Sequence, residues 1–316
     1  MTRNDSTPKY RALITGASGF IGSCLCRYLA RQNWEAHALI RERSVLDEKT
    51  IFSLREKNIH TLSSGGENLS EIIGKTNPDL VFHLASLFLS NHRKDDIDAL
   101  LDSNIVFGTK LAEAMTLNGV SSLVNTGTSW QHLKKSREYC PVNLYAATKQ
   151  AYEDILEFYV EERNLKAITL KLFDTYGPGD RRKKIMPVLL AASRNPGHAP
   201  LQMTPGDNRL DFVYVEDVCR AFLTAGYRLM DGFVDSHERY DVSSGHSVSL
   251  KELVETFSNI SGLPINAVWG ARPYRERDIM TPCNTGEALP GWEPRIDLTC
   301  GIRSLLDCKN DNRETP

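Results

Sequence analysis

Ala12-Leu13-Ile14-Thr15-Gly16-Ala17-Ser18-Gly19-Phe20-Ile21-Gly22 is the stretch from which the rest of the chain can be read. Ala12–Thr15 reads as a strand and Phe20–Arg31 as a helix. Glycines stand at 16, 19 and 22 across the junction. Gly16 permits a tight turn, Gly19 lets backbone approach a pyrophosphate, and Gly22 lets helix pack close to sheet. The helix start, with Phe20 and Ile21 just after Ser18, then points free N–H groups and a positive dipole end at phosphate. A glycine pattern alone says little. In a first βα turn it predicts a dinucleotide site.

Outward from that turn, short apolar runs alternate with amphipathic stretches. Glu35–Ile40, Leu80–Ala85, Ser122–Asn125 and Ala167–Phe173 read as strands, and Asn77-Pro78-Asp79 is a turn signal before the second of these. Ile97–Asn118, ended by Gly119, and Asn143–Arg163 read as long helices. This alternation predicts an α/β fold of the Rossmann type, a doubly wound parallel sheet with a smaller C-terminal substrate-binding α/β part. The expected division is residues 1–175 for cofactor, with the sheet completed by about 207–230, and 176–316 mainly for substrate. After Phe173 turn residues multiply: Gly177-Pro178-Gly179, Asn195-Pro196-Gly197, Pro205-Gly206-Asp207. Asp211–Val218 reads as a strand-like run returning to the sheet, followed by a helix through Tyr227. Ser249–Ile260 reads as a helix capped by Ser249, and Lys309–Pro316 as a disordered polar tail.

Composition narrows the function. A net charge of −2 over 316 residues, with no basic stripe, argues against a nucleic-acid surface. The Arg181-Arg182-Lys183-Lys184 run reads as a solvated loop before it reads as an anion site. Seven cysteines, with no Cys-x-x-Cys or Cys/His metal spacing, read as reduced thiols of a cytoplasmic protein with no metal. Met1–Lys9 lacks the apolar core of a signal peptide, and no apolar run approaches the roughly 20 residues a membrane span needs.

The second strand bears on the cofactor. An NAD site usually ends that strand with a carboxylate for the ribose 2′-OH. Here Ile40 takes that place and Arg41 follows, with Arg43 and Ser44 beyond. A guanidinium fork suits a 2′-phosphate, so NADP(H) is expected, with a surface role for Arg41 as the alternative.

Tyr145-Ala146-Ala147-Thr148-Lys149 opens a predicted helix. A spacing of four puts phenol and ammonium on one face. The cation favours the ionised phenol, which fits Tyr145 for protonating an alkoxide or deprotonating an alcohol.

At these residues the chain resembles the extended short-chain dehydrogenase/reductases, in their nucleotide-sugar branch. The resemblance runs from Ala12 to about Leu305. It includes the glycine turn, Val81-Phe82-His83-Leu84-Ala85, Asn104-Ile105-Val106-Phe107-Gly108-Thr109, Tyr145 to Lys149, Leu170 to Pro178, and Asp211 to Val218. It implies cofactor contacts at Leu84, Ala85, Ser86, Asn104 and Phe173 beside those above, with a purely structural role open for Asn104. It also implies a hydroxyl partner for the substrate's carbonyl oxygen. Aligning Trp130 with the family's aromatic residue makes this Thr126, the preferred choice; aligning the strand end two residues later makes it Thr128. Thr128, Asp174, Arg209 and Arg272 are the implied substrate contacts, with Arg275 a near alternative to Arg272. Many relatives carry arginine where this chain has Leu210, so the diphosphate contacts are open. The long helices imply a homodimer.

The family epimerises, dehydrates or reduces. No carboxylate follows Thr126, which counts against dehydration, and an NADP(H) site suits net reduction. Asn125 to Gln131 and Pro205 to Phe212 are similar to CDP-abequose and CDP-paratose synthases, which reduce C4 of CDP-4-keto-3,6-dideoxyglucose. NADPH-dependent reduction of such a nucleotide-linked deoxysugar is therefore expected. A nucleotide-sugar 4-epimerase or a reductase of non-nucleotide ketones are the alternatives.

Overall fold

The computed structural model describes residues 9–134, 138–195, 197, 199–283 and 286–308. Most of the N-terminal stretch and the whole tail read from Lys309 onward lie outside them, as does Pro196 of the second turn signal.

The elements run in chain order as follows. The first half is β1 (Tyr10–Thr15), α1 (Phe20–Arg31), β2 (Trp34–Arg41), α2 (Glu48–Ser53), β3 (Ile59–Leu62), α3 (Leu69–Thr76), β4 (Leu80–His83), α4 (Ile97–Leu101) and α5 (Phe107–Leu117). Then come β5 (Ser122–Thr128), α6 (Leu144–Arg163), β6 (Lys166–Leu172), β7 (Asp174–Tyr176), α7 (Ile185–Ser193) and β8 (Leu201–Gln202). The chain closes with β9 (Arg209–Tyr214), α8 (Val215–Met230), β10 (His237–Val242), β11 (Ser247–Ser249), α9 (Leu250–Ser261), β12 (Ala267–Val268) and α10 (Leu298–Asp307).

Two compact units emerge: residues 1–172, 218–242 and 283–292 in one, and 173–217, 243–282 and 293–316 in the other. The first holds a seven-stranded sheet in the order β10-β6-β5-β4-β1-β2-β3, with every neighbouring pair parallel. This is the doubly wound arrangement, and the strand order reverses between β1 and β4, where such sheets leave a ligand crevice. Its core on one side packs Leu13, Val81 and Leu123 of the sheet against Leu111, Met115, Tyr152 and Leu156 of the helices. The second unit holds the β11-β9-β7 sheet and the β12-β8 pair. Its core joins Tyr176, Phe212 and Tyr214 to Leu189, Phe257 and Ile302.

Several sequence expectations need correction. The Asp211–Val218 run does not rejoin the central sheet: its strand, β9, pairs with β7 and β11, and from Val215 the chain is helical. The central sheet is completed by β10, beyond the expected 207–230. The helix expected over Ile97–Asn118 is continuous but carries a π turn at Asp102–Val106. The strand expected to stop at Asn125 continues to Thr128, so Thr126 and Thr128 share one face of it. The Leu80–Ala85 run stops as strand at His83, and Leu84 and Ala85 begin the loop. Ser249 caps α9 in a reciprocal capping box with Glu252. Among the described residues no helix is long and apolar enough to cross a membrane, and no group of three or more His, Cys, Asp or Glu could hold a metal ion.

Candidate active site

The glycine turn lies at the sheet's switch point. Gly16 has φ +68°, and a Cβ there would sit 2.6 Å from the Ala85 nitrogen. Glycine therefore lets the β1 turn press against the loop after β4. A Cβ on Gly22 would lie 2.2 Å from the Gly16 carbonyl oxygen, so α1 can start this close to the turn only with glycine there. Gly19 caps α1 with no side-chain hydrogen bond and no acidic residue follows in the first turn, leaving N–H groups for an anion. Ser18 is exposed beside them, while Phe20 and Ile21 are half-buried.

Thr15 locks the two loops together. Its Oγ1 accepts the Leu84 N–H at 3.2 Å and the Ala85 N–H at 3.1 Å, and lies 2.8 Å from His83 Nδ1. An oxygen accepting two N–H groups gives its own proton to Nδ1, so the His83 ring is neutral. Burial, with the Lys149 charge adding to it, pushes its pKa down to about 3. Arg41 closes β2, at the same end of the parallel sheet as the glycine turn, and is exposed, as is Arg43; the half-buried Ser44 donates its N–H to the Arg41 carbonyl at 2.9 Å.

Two asparagines clamp the β4 loop to α6. Asn104, buried in the π turn, accepts the Leu87 N–H at 2.7 Å and the Ser86 hydroxyl at 3.0 Å. Its Nδ2 donates to the Leu87 carbonyl at 3.0 Å and to Thr148 Oγ1 at 2.9 Å. The extra residue of a π turn aims such a side chain inward. Asn143, the N-cap of α6, accepts the Ala146 N–H at 2.9 Å and donates to the Ser90 carbonyl at 2.9 Å. Helix and loop thereby fix Phe88 edge-on to the Tyr145 ring, centroids 5.0 Å apart, with Trp130 against Phe88 at 5.4 Å.

Tyr145 is half-buried in the first turn of α6. Lys149, four residues on, is 1% exposed, and its Nζ has no hydrogen-bond partner among the described residues. Burial lowers its pKa to about 8, against the opposing pull of Glu153. A buried ammonium without a partner is costly in a protein and is a mark of a site that meets a ligand.

The two threonines differ in their bonding. Thr126 Oγ1 donates to the His83 carbonyl at 2.8 Å, so its proton is committed. Thr128 Oγ1 accepts the Trp130 N–H at 3.3 Å and keeps its own proton to donate.

The remaining candidates lie in the second unit. Phe173 is buried, and Asp174 lies 3.4 Å from Lys184 Nζ. Arg209 donates to Ser247 Oγ at 3.0 Å and to the Ser247 carbonyl, with Glu252 at 3.5 Å. A carboxylate beside it opposes the role expected for it on a diphosphate. Arg272 is exposed, and Arg275 pairs with Asp278 at 3.1 Å. Sequence reading passed over Asn143, Phe88, Gln131 and Glu153. For Asn143 a signal was present, an N-cap residue just before the helix.

A parallel doubly wound sheet with a glycine turn at its switch point and a Tyr-x-x-x-Lys pair on α6 defines a Rossmann-type dinucleotide-binding class. Residues 12–233 match the NAD dependent epimerase/dehydratase family, and the chain belongs to it. It is 27% identical over 305 residues to CDP-abequose synthase of Salmonella typhimurium (strain LT2), covering 94% of this chain and 98% of that protein. It is also 27% identical over 323 residues to UDP-glucose 4-epimerase of Mycolicibacterium smegmatis, covering 94% and 97%. Among solved structures, UDP-N-acetylglucosamine 4-epimerase from Methanobrevibacter ruminantium M1, in complex with UDP-N-acetylmuramic acid, superimposes with TM-score 0.81 at 21% identity, covering 95% and 97%.

Proposed function

We propose that the protein reduces the C4 ketone of a nucleotide-linked deoxysugar with NADPH, the CDP-4-keto-3,6-dideoxyglucose type being the substrate, to give CDP-abequose or CDP-paratose. The observation that carries the reading is the pairing of Tyr145 with a buried, unpartnered Lys149 on one helix face. The glycine turn, the uncapped start of α1 and the orphan ammonium fit a dinucleotide. Gly16, Ser18, Gly19 and the α1 N–H groups would hold its pyrophosphate. Arg41, Arg43 and Ser44 would hold a 2′-phosphate, and Lys149 would meet the nicotinamide ribose. The bound cofactor supplies the hydride that reaches the ketone carbon.

This chain's own residues manage the oxygen. Thr128 donates a hydrogen bond to the ketone oxygen; its uncommitted proton favours it over Thr126. Tyr145 delivers the proton that turns the developing alkoxide into the alcohol, and the Lys149 cation steadies the phenolate that remains. Phe88 and Trp130 pack an apolar surface beside Tyr145. The second unit is assigned to the substrate, with Asp174, Arg272 and Arg275 as its candidate contacts.

The test is loss of NADPH absorbance with CDP-4-keto-3,6-dideoxyglucose and dTDP-4-keto-6-deoxyglucose offered in parallel. Oxidation with the first supports the reading; none with either refutes it. The likeness to a UDP-glucose 4-epimerase at the same identity keeps a second reading, a 4-epimerase that retains its cofactor.

Arg41→Glu is expected to raise the KM for NADPH by about ten- to a hundredfold, the worth of a charge-assisted phosphate contact, while leaving that for NADH nearly unchanged. Initial rates with both cofactors check it. A homodimer is proposed through α4, the π turn and α6, which leave Leu101, Val106 and Phe158 exposed. Light scattering is expected to give twice the chain mass.

A further inference from the structure

Behind Thr128 lies a chain of buried polar groups with no place in the chemistry described so far. Gln131 is fully buried. Its Oε1 accepts the Thr128 backbone N–H at 2.9 Å, and its Nε2 donates to Gln150 Oε1 at 2.8 Å and to Glu153 Oε1 at 2.9 Å. Glu153 is also fully buried, and its second oxygen accepts Arg239 Nε at 3.2 Å. A Cβ on Gly127 would lie 3.1 Å from both Gln131 Oε1 and Glu153 Oε1. The glycine between the two threonines is thus what lets amide and carboxylate reach under the strand end. Glu153 follows Lys149 by one helical turn, and its charge acts on Lys149.

A carboxylate in a protein interior is retained only where its hydrogen bonds are made, and making them fixes its neighbours. We infer that Gln131 and Glu153, anchored by Arg239, are positioning residues that fix Thr128 at the end of β5 and hold negative charge behind Lys149. The inference rests on the reading of Thr128 as the hydroxyl that meets the ketone oxygen. Thr128 and Lys149 come from different elements, β5 and α6, and this chain is the hydrogen-bonded tie between them. Other charged groups around the carboxylate are Glu157 on its own helix, His237 and Arg239 on β10, and His132, which contacts Lys171 of β6. The Lys149 charge in turn acts on His83 of β4.

Kinetics of the full chain test it with Gln131→Met, Thr128→Val, their double variant, and Glu153→Gln, which keeps the shape of the carboxylate. Gln131→Met should lower kcat by about ten- to a hundredfold, the range for a misplaced catalytic group, with KM and NADPH affinity within about twofold of the parent. If Gln131 acts through Thr128, the double variant should be no slower than Thr128→Val. Glu153→Gln should move the alkaline fall of kcat/KM to lower pH, since Lys149 loses the charge that favours its protonated form. Additive losses in the double variant, or a Glu153→Gln profile superimposable on the parent's, would overturn the inference. A fully active Thr128→Val would instead overturn the underlying reading of Thr128, and the two failures are separable. Should Gln131→Met not fold, the Glu153→Gln profile decides.

Discussion

Tyr145→Phe is expected to lower kcat by about 10²–10⁴-fold, the contribution of a positioned general acid, with the affinity for NADPH unchanged. The substitution deletes one oxygen and leaves the ring, so the edge-on contact with Phe88 at 5.0 Å survives. Lys149 keeps its place, since its position depends on burial in α6 and not on a bond to the phenol. Steady-state rates with a parallel fluorescence titration of NADPH check both halves. Equal losses in turnover and cofactor binding would mean that Tyr145 acts as a structural part of the site.

Lys149→Met is expected to move activity and stability in opposite directions. Turnover should fall by a comparable factor, because the phenolate loses its cation and the cofactor loses its ribose contact. The cofactor-free protein should gain about 1–4 kcal/mol at pH 7, the range seen when buried charges give way to apolar side chains of similar size. Burial sets the folded pKa of Lys149 at about 8, below its ordinary value of 10.5. Between those two values the unfolded chain binds more protons, so the parent protein gains stability as pH rises through that window. The methionine variant has no such gain, and its advantage should shrink from pH 7 to pH 10. Denaturant melts at the two pH values test this. An advantage independent of pH would show that Lys149 keeps its ordinary pKa in the folded protein, and would contradict the depression by burial.

Legibility in the sequence varied with how local the determining physics is. The glycine turn was legible because the spacing of its glycines between strand and helix is local: Gly22 meets the Gly16 carbonyl within the turn, although the group that crowds Gly16 is the distant Ala85. Tyr145 and Lys149 were legible because helical geometry fixes their relation. The strand β10 was missed because His237-Glu238-Arg239-Tyr240-Asp241 has none of the apolar character expected of a strand in a parallel sheet. It is polar because His237 and Arg239 face Thr169, Glu153 and Glu157, partners distant in sequence. The π turn was hidden for the same reason: an inserted residue leaves the composition of a helix unchanged, and Asn104 is identified by what it clamps. The alignment of Trp130 preferred Thr126 to Thr128, although both lie on one face of β5. Their bonds to His83 and Trp130 distinguish them.

The central claim, net reduction of a sugar ketone, is tested most directly by following label from NADPH deuterated at the transferring position of its nicotinamide. With CDP-4-keto-3,6-dideoxyglucose the account predicts a product carrying one deuterium, bound to C4, and one NADP⁺ formed for each sugar consumed. Unreacted ketone and intact NADPH, together with inversion at C4 of UDP-glucose by the same protein with no reductant added, would contradict it and establish a retained-cofactor epimerase in its place.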